Sequence, residues 1–159
     1  MNKTSWIIQD AAHKSWGLPP ERWAYYQEWN RSLFLHWKIP TDTLQPFIPK
    51  RLILDTFEKE SWVSVVAFTM ENIRPRGLPS IPVISDFHEL NLRTYVTIDG
   101  KPGVYFLHIS AQKQFSAWLA KRLSGLPYEK SEIIRTQNDN LQTYYLYNRK
   151  QAITLEVEF

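Results

Sequence analysis

The chain predicts an α+β domain of mostly antiparallel strands, a conical β-barrel or strongly curved sheet with one main packed helix at about residues 110–124. Three observations carry this. Runs of β-branched and aromatic residues with period-two alternation recur along most of the sequence, separated by turn residues. Only residues 110–124 carry a sustained helical stripe, with Ala111, Phe115, Trp118, Leu119 and Leu123 on one face. The 159 residues fit one domain, burying roughly 70% of the unfolded surface.

Taken in order, residues 1–20 read as a short helix and linker. Thr4 or Ser5 can cap a helix over 4–14, and Gly17 with Pro19-Pro20 ends it. Residues 21–159 form the barrel. Residues 23–38 are aromatic-rich and lead into a strand at 32–37, which Pro40 stops. Thr41 or Asp42 caps a short helix over 42–47, closed by Pro49. Residues 52–57 and 61–73 read as an antiparallel pair around a charged turn. The second of these is apolar on both faces, with Trp62, Val66, Phe68 and Met70 on one and Val63, Val65 and Ala67 on the other, as a central strand is. Pro75, Gly77, Pro79 and Pro82 make 74–86 a loop. Residues 87–98 form a strand, Asp99-Gly100 a hairpin turn, and 103–110 the return strand. Ser110 caps the main helix, which Gly125 and Pro127 terminate. Strands at 131–137, 142–148 and 153–159 complete the chain, with Asn138-Asp139-Asn140 between the first two.

Composition narrows the function classes. Cysteine is absent, which excludes disulfides and thiolate metal sites. The net charge of +3 is spread without a basic run, so nucleic acid is not an expected partner. No apolar run approaches the ~20 residues that span a bilayer, and the N-terminus has no signal-peptide core. A soluble cytoplasmic protein without membrane partners is expected. The four histidines lack His-x-His or HExxH spacing, and His88 and Glu89 face opposite ways, so no metal is expected. Gly100-Lys101-Pro102-Gly103 is a hairpin rather than a phosphate loop, and no cofactor is expected.

The strand at 87–98 carries the chemistry. One face reads Glu89, Asn91, Arg93, Tyr95; the other reads His88, Leu90, Leu92, Thr94, Val96. The polar face is either a solvated ladder with a weak Glu–Arg pair or the wall of a pocket. In a pocket, Glu89 is a general acid or base, Arg93 lowers its pKa and clamps an anion, Asn91 orients either group and Tyr95 adds a phenol donor. Arg74 and Arg76, either side of Pro75, can stand at the pocket mouth or be solvated.

Phe34–Trp37 (FLHW), the segments 54–79 and 87–106, and LPYEKS at 126–131 together resemble the DUF2071 family, the YqjF-like group related to acetoacetate decarboxylases. The resemblance covers about residues 20–150. It implies a cone-shaped antiparallel barrel with an internal pocket and an external helix. It also implies a comparison with the decarboxylases' Schiff-base lysine. Tyr128 stands where that lysine is expected in the segment Gly125–Lys130, and Glu129 beside it. Lys130 lies two positions on, on the same strand face as Tyr128, and is the remaining candidate nucleophile. Glu89 is the counterpart of the decarboxylases' pocket glutamate. The resemblance further implies a segment beyond the point matching Phe159, so a short member or a fragment is expected. An uncovered barrel edge could then pair with a second copy.

Three functions follow as expectations. The first is a pocket for a small carboxylate or oxo acid, centred on Glu89 and Arg93 with Asn91, Tyr95 and Tyr128 in support. The second is a lyase or acid/base catalyst on a β-keto acid, through Lys130 or Glu89. The third is a non-catalytic, oligomerising barrel associating through aromatics such as Trp6 and Trp23.

Overall fold

A computed structural model of the chain describes residues 3–10, 17–113 and 125–159. Two antiparallel-dominated sheets make up most of it. The larger has strand order β1-β3-β4-β5-β6, with the short β2 pairing to β4; the smaller has order β7-β8-β9. The strands are β1 (Tyr25–Ile39), β2 (Ile53–Leu54), β3 (Ser61–Pro75), β4 (Phe87–Ile98), β5 (Lys101–Ala111), β6 (Tyr128–Lys130), β7 (Glu132–Asn138), β8 (Leu141–Asn148) and β9 (Ile153–Glu158). Helices α1 (Lys3–Gln9), α2 (Thr41–Leu44) and α3 (Pro82–Ser85) are short, and a 3-10 turn, Gln45–Phe47, follows α2.

The β4 segment and its hairpin follow the sequence reading. Asp99 and Gly100 both take positive φ, 51° and 72°, the two-residue geometry that matches strand twist. β3 lies between β1 and β4, as its two apolar faces require. On one face Ala67 and Leu90 pack against Ile133, Tyr144 and Leu146 of the second sheet. Farther along that face Val96 joins Leu44, Ile48 and Leu54, roofed by α2 and the following turn. The opposite face carries Val66, Phe68, Met70, Phe87 and Ala111, with Tyr128 against them.

Several expectations are corrected. The barrel is not closed among the described residues: β1 and β6 lie at opposite ends of the larger sheet, and β6 has only three residues with which to pair. Residues 52–57 do not pair along 61–73; β2 pairs with β4 instead, and Phe57 bridges to Glu60 in the turn between the two segments. β1 is longer than its apolar core because a bulge between Asn30 and Leu33, with Arg31 at φ 52°, lets the ladder resume. Ser110 does not cap a helix. Ile109, Ser110 and Ala111 continue β5 and ladder with β6 in parallel. Residues 114–124 of the expected main helix, and 11–16 of the first one, lie outside the described residues. Among the described residues no helix is long and apolar enough to cross a membrane.

Candidate functional site

The polar face of β4 is buried at one end and opens at the other. Cross-strand register sets Phe68 opposite Glu89, Val66 opposite Asn91 and Ser64 opposite Arg93, so apolar β3 residues flank the Glu89 and Asn91 end of the row. Glu89 and Asn91 are each 1% exposed, while Arg93 and Tyr95 are half-buried. A solvated ladder is thereby excluded for the Glu89 end. Tyr144 reaches across from β8 and its hydroxyl donates to the Glu89 carbonyl at 3.0 Å, tying this point of β4 to the second sheet.

Burial pushes the Glu89 carboxyl up from 4.5 to about 7; hydrogen bonds from Asn91 and Tyr128 pull it the other way without cancelling that effect. The Tyr128 hydroxyl is pushed up by its own burial first and by Glu89 second. Lowering of the Glu89 pKa by Arg93 is not what the geometry gives. The two Cα positions are ~13 Å apart along the strand, Asn91 stands between them, and the guanidinium lies over the Phe34 ring, 5.5 Å from its centroid. Phe34 shares the cross-strand row of Val66 and Asn91, so Arg93 leans back toward the Glu89 end of the face. Three buried polar atoms have no hydrogen-bond partner among the described residues: Glu89 Oε2, Asn91 Oδ1 and Arg93 Nε. All three belong to successive positions on one face of β4.

At the open end, Tyr95 joins a hydrogen-bonded chain that sequence reading missed. The Tyr95 hydroxyl and Ser64 Oγ share a bond of 2.9 Å, and Ser64 Oγ and His36 Nδ1 one of 2.6 Å. Ser64 is fully buried. Its signal was present as a lone hydroxyl in the apolar row of β3, between Trp62 and Val66. A groove of about 550 Å³ lies here, lined by His36, Asp55, Thr56, Phe57, Trp62 and Tyr95. The other histidines on strands also have hydroxyl partners, His88 with Thr69 and His108 with Ser110.

Tyr128 and Lys130 share one face of β6, opposite Ile109 and Ala111. Tyr128 packs into the cluster around Phe68, whereas Lys130 is exposed. A second groove, about 470 Å³, is lined by Tyr128, Glu129, Lys130, Arg149 and Lys150. Glu129 points away from the acid row and is held by Lys150 Nζ at 2.7 Å, Gln151 Nε2 at 3.1 Å and Asn148 Nδ2 at 3.3 Å. These bonds, Lys150 foremost, keep its carboxyl below the usual range.

Arg74 and Arg76 are not brought to the row. Arg74 lies in β3 itself rather than in the loop, because the ladder with β1 runs on to Tyr25 and Pro75. Its guanidinium stacks 4.1 Å above Tyr26, and that of Arg76 lies 5.3 Å from the Trp23 ring centroid. Neither lines either of the two grooves described above. Trp6 is exposed on α1, apart from these groups.

The DUF2071 family model, described as an uncharacterized conserved protein, matches residues 26–159. The chain belongs to the DUF2071 family. It is 37% identical over 131 residues to the uncharacterized protein YqjF of Bacillus subtilis (strain 168), covering 82% of this chain and 54% of YqjF. Among solved structures, acetoacetate decarboxylase of Legionella pneumophila superposes with a TM-score of 0.62 at 16% identity, over 94% of this chain and 55% of that one. The enduracididine biosynthesis enzyme MppR complexed with pyruvate superposes with a TM-score of 0.57 at 13% identity, over 85% and 55%. The chain thus spans about half the length of these relatives, and it shares the fold of the two solved structures. In this DUF2071 chain Tyr128 is hydrogen-bonded to Glu89.

Proposed function

We propose that this protein binds a small carboxylate or oxo acid on the polar face of β4, with Glu89, Asn91 and Arg93 as the binding groups and Tyr95 and Tyr128 flanking them. The unpaired row carries this reading: Glu89 Oε2, Asn91 Oδ1 and Arg93 Nε are all buried without partners among the described residues. A buried polar atom left unpaired costs roughly 1–3 kcal/mol, and native structures hold few of them. A bound acid supplies what each lacks. Arg93 Nε–H donates to a carboxylate, protonated Glu89 donates to a carbonyl, and Asn91 Oδ1 accepts from a hydroxyl or enol. With its pKa near 7, Glu89 can give or take a proton at neutral pH, as a general acid or base must. The pyruvate complex of a protein sharing this fold supports the ligand class.

A lyase acting through Lys130 is the alternative. Schiff-base chemistry needs an amine in apolar surroundings, and Lys130 is exposed. Borohydride reduction in the presence of a β-keto acid is therefore expected to leave the intact mass unchanged. An adduct on Lys130 would establish the lyase route in place of simple binding.

Thermal unfolding against pyruvate, acetoacetate and related acids tests the pocket. A ligand at 100 times its Kd adds ~2.7 kcal/mol, several degrees for a domain of this size. Arg93→Ala is expected to abolish the shift. No shift with any acid, or a full shift in Arg93→Ala, contradicts the reading.

A further inference from the structure

We propose that the groove beside Tyr95 binds an organic ammonium, at a site that meets the acid row only at Tyr95 and uses none of its binding groups Glu89, Asn91 and Arg93. Its lining sets the chemistry: three aromatic rings, Phe57, Trp62 and Tyr95, with His36, Thr56 and the Asp55 carboxylate. Aromatic faces attract cations through their quadrupole, and a carboxylate at the same opening supplies the counter-charge. Asp55 is exposed and has no ion pair among the described residues. Arg93 is not in the lining; its guanidinium leans the other way, over Phe34.

The walls are fixed before any ligand arrives. Trp62 Nε1–H donates to the Phe57 carbonyl at 3.4 Å, which orients the indole. The Tyr95 ring is anchored through its hydroxyl to buried Ser64. The Asp55 backbone N–H donates to the Tyr95 carbonyl at 3.0 Å, which holds the two residues side by side at the groove. Phe57 is presented by a tight turn. Phe57 and Glu60 exchange backbone hydrogen bonds of 3.0 and 3.1 Å, and Glu58 and Lys59 between them take φ of 54° and 67°. Two adjacent non-glycine residues in the left-handed region are unfavourable, and such strain gathers at functional segments. Preorganised walls lower the ordering cost of binding.

Lys38 Nζ lies 5.4 Å from the Trp62 centroid and is paired with Glu58 at 3.5 Å, so Trp62 already carries one cation, and an incoming ammonium depends chiefly on Phe57, Tyr95 and Asp55. A groove of about 550 Å³ is within the range of small-ligand sites, with room for a trimethylammonium group.

The test follows the Trp62 indole resonance by NMR during titration with choline chloride, at ionic strength held constant with sodium chloride. A parallel titration uses 3,3-dimethylbutan-1-ol, which has the same shape without the charge. Choline is expected to move the resonance saturably and the alcohol to move it far less. Asp55→Asn, an exposed change that leaves the core intact, is expected to weaken choline about three- to fivefold, the upper scale of an exposed ion pair. In Trp62→Phe, which removes the reporter but keeps a ring, choline binding read on neighbouring Tyr95 should weaken without vanishing. Equal response to choline and the alcohol, unchanged affinity in Asp55→Asn, or no response to choline would each overturn the proposal.

Discussion

Replacing Glu89 with glutamine is expected to stabilise the protein at pH 8 by on the order of 3 kcal/mol and to leave it nearly unchanged at pH 4. The carboxyl rises from 4.5 to about 7 on folding, chiefly by desolvation, and each tenfold change in proton affinity corresponds to about 1.4 kcal/mol. The folded state therefore holds the Glu89 proton where the unfolded chain has lost it. This contribution to stability is fully present below about 4.5, declines as pH rises and is gone above about 7. His88 and His108 act in the opposite sense. Burial lowers both first, so the unfolded chain binds their protons more tightly, and stability falls as pH drops below the imidazole range. The difference between the parent and Glu89→Gln, measured by urea unfolding from pH 4 to pH 8, isolates the carboxyl. A difference that does not change with pH would mean that folding leaves the proton affinity of Glu89 unchanged, and the proton-transfer role near neutrality would be lost with it.

Phe68→Ala is expected to cost roughly 3–5 kcal/mol, a large share of the ~5–15 kcal/mol that holds a domain together. Phe68 is fully buried and stacks on Trp29 with centroids 4.4 Å apart. It also stands directly opposite Glu89 in the β3–β4 ladder. Truncation thus opens a cavity against the carboxyl whose pKa depends on dryness. Water admitted there would let Glu89 ionise more easily, so the pH dependence just described should flatten in Phe68→Ala. Phe68→Leu keeps most of the volume and should lose clearly less stability. Urea unfolding at pH 5 and pH 8 reads both effects together; a loss below about 1 kcal/mol would show that this face is not the packed wall described.

What the sequence made legible was what alternation and turn chemistry control. β4 and its hairpin were readable because period-two patterning runs unbroken from Phe87 to Ile98 and ends on Asp99-Gly100. The polar row was readable for the same reason. β2 was read within 52–57 but given the wrong partner, and β6 was not read, because two- and three-residue strands are defined by their partners rather than by a pattern of their own. Closure was misread because alternation places residues on a face and does not say which strand pairs with which. At the site, shared facing of Glu89 and Arg93 suggested an ion pair. Facing does not determine where a long side chain leans, and Arg93 leans over Phe34. Nor does it fix the dielectric around Glu89, which Val66, Phe68 and Ala111 set through tertiary packing. Ser64 was passed over because one hydroxyl in an apolar strand has no local meaning until Tyr95 and His36 arrive from other strands.

Calorimetric titration with pyruvate at pH 7.5, repeated in two buffers of different ionisation enthalpy, tests the central claim most directly. An acid anion seated beside Glu89 raises its proton affinity further. Binding is therefore predicted to take up a fraction of a proton, an uptake that disappears in Glu89→Gln while heat of binding remains. Binding with no buffer dependence, or proton uptake that persists in Glu89→Gln, would place the acid elsewhere and contradict the account.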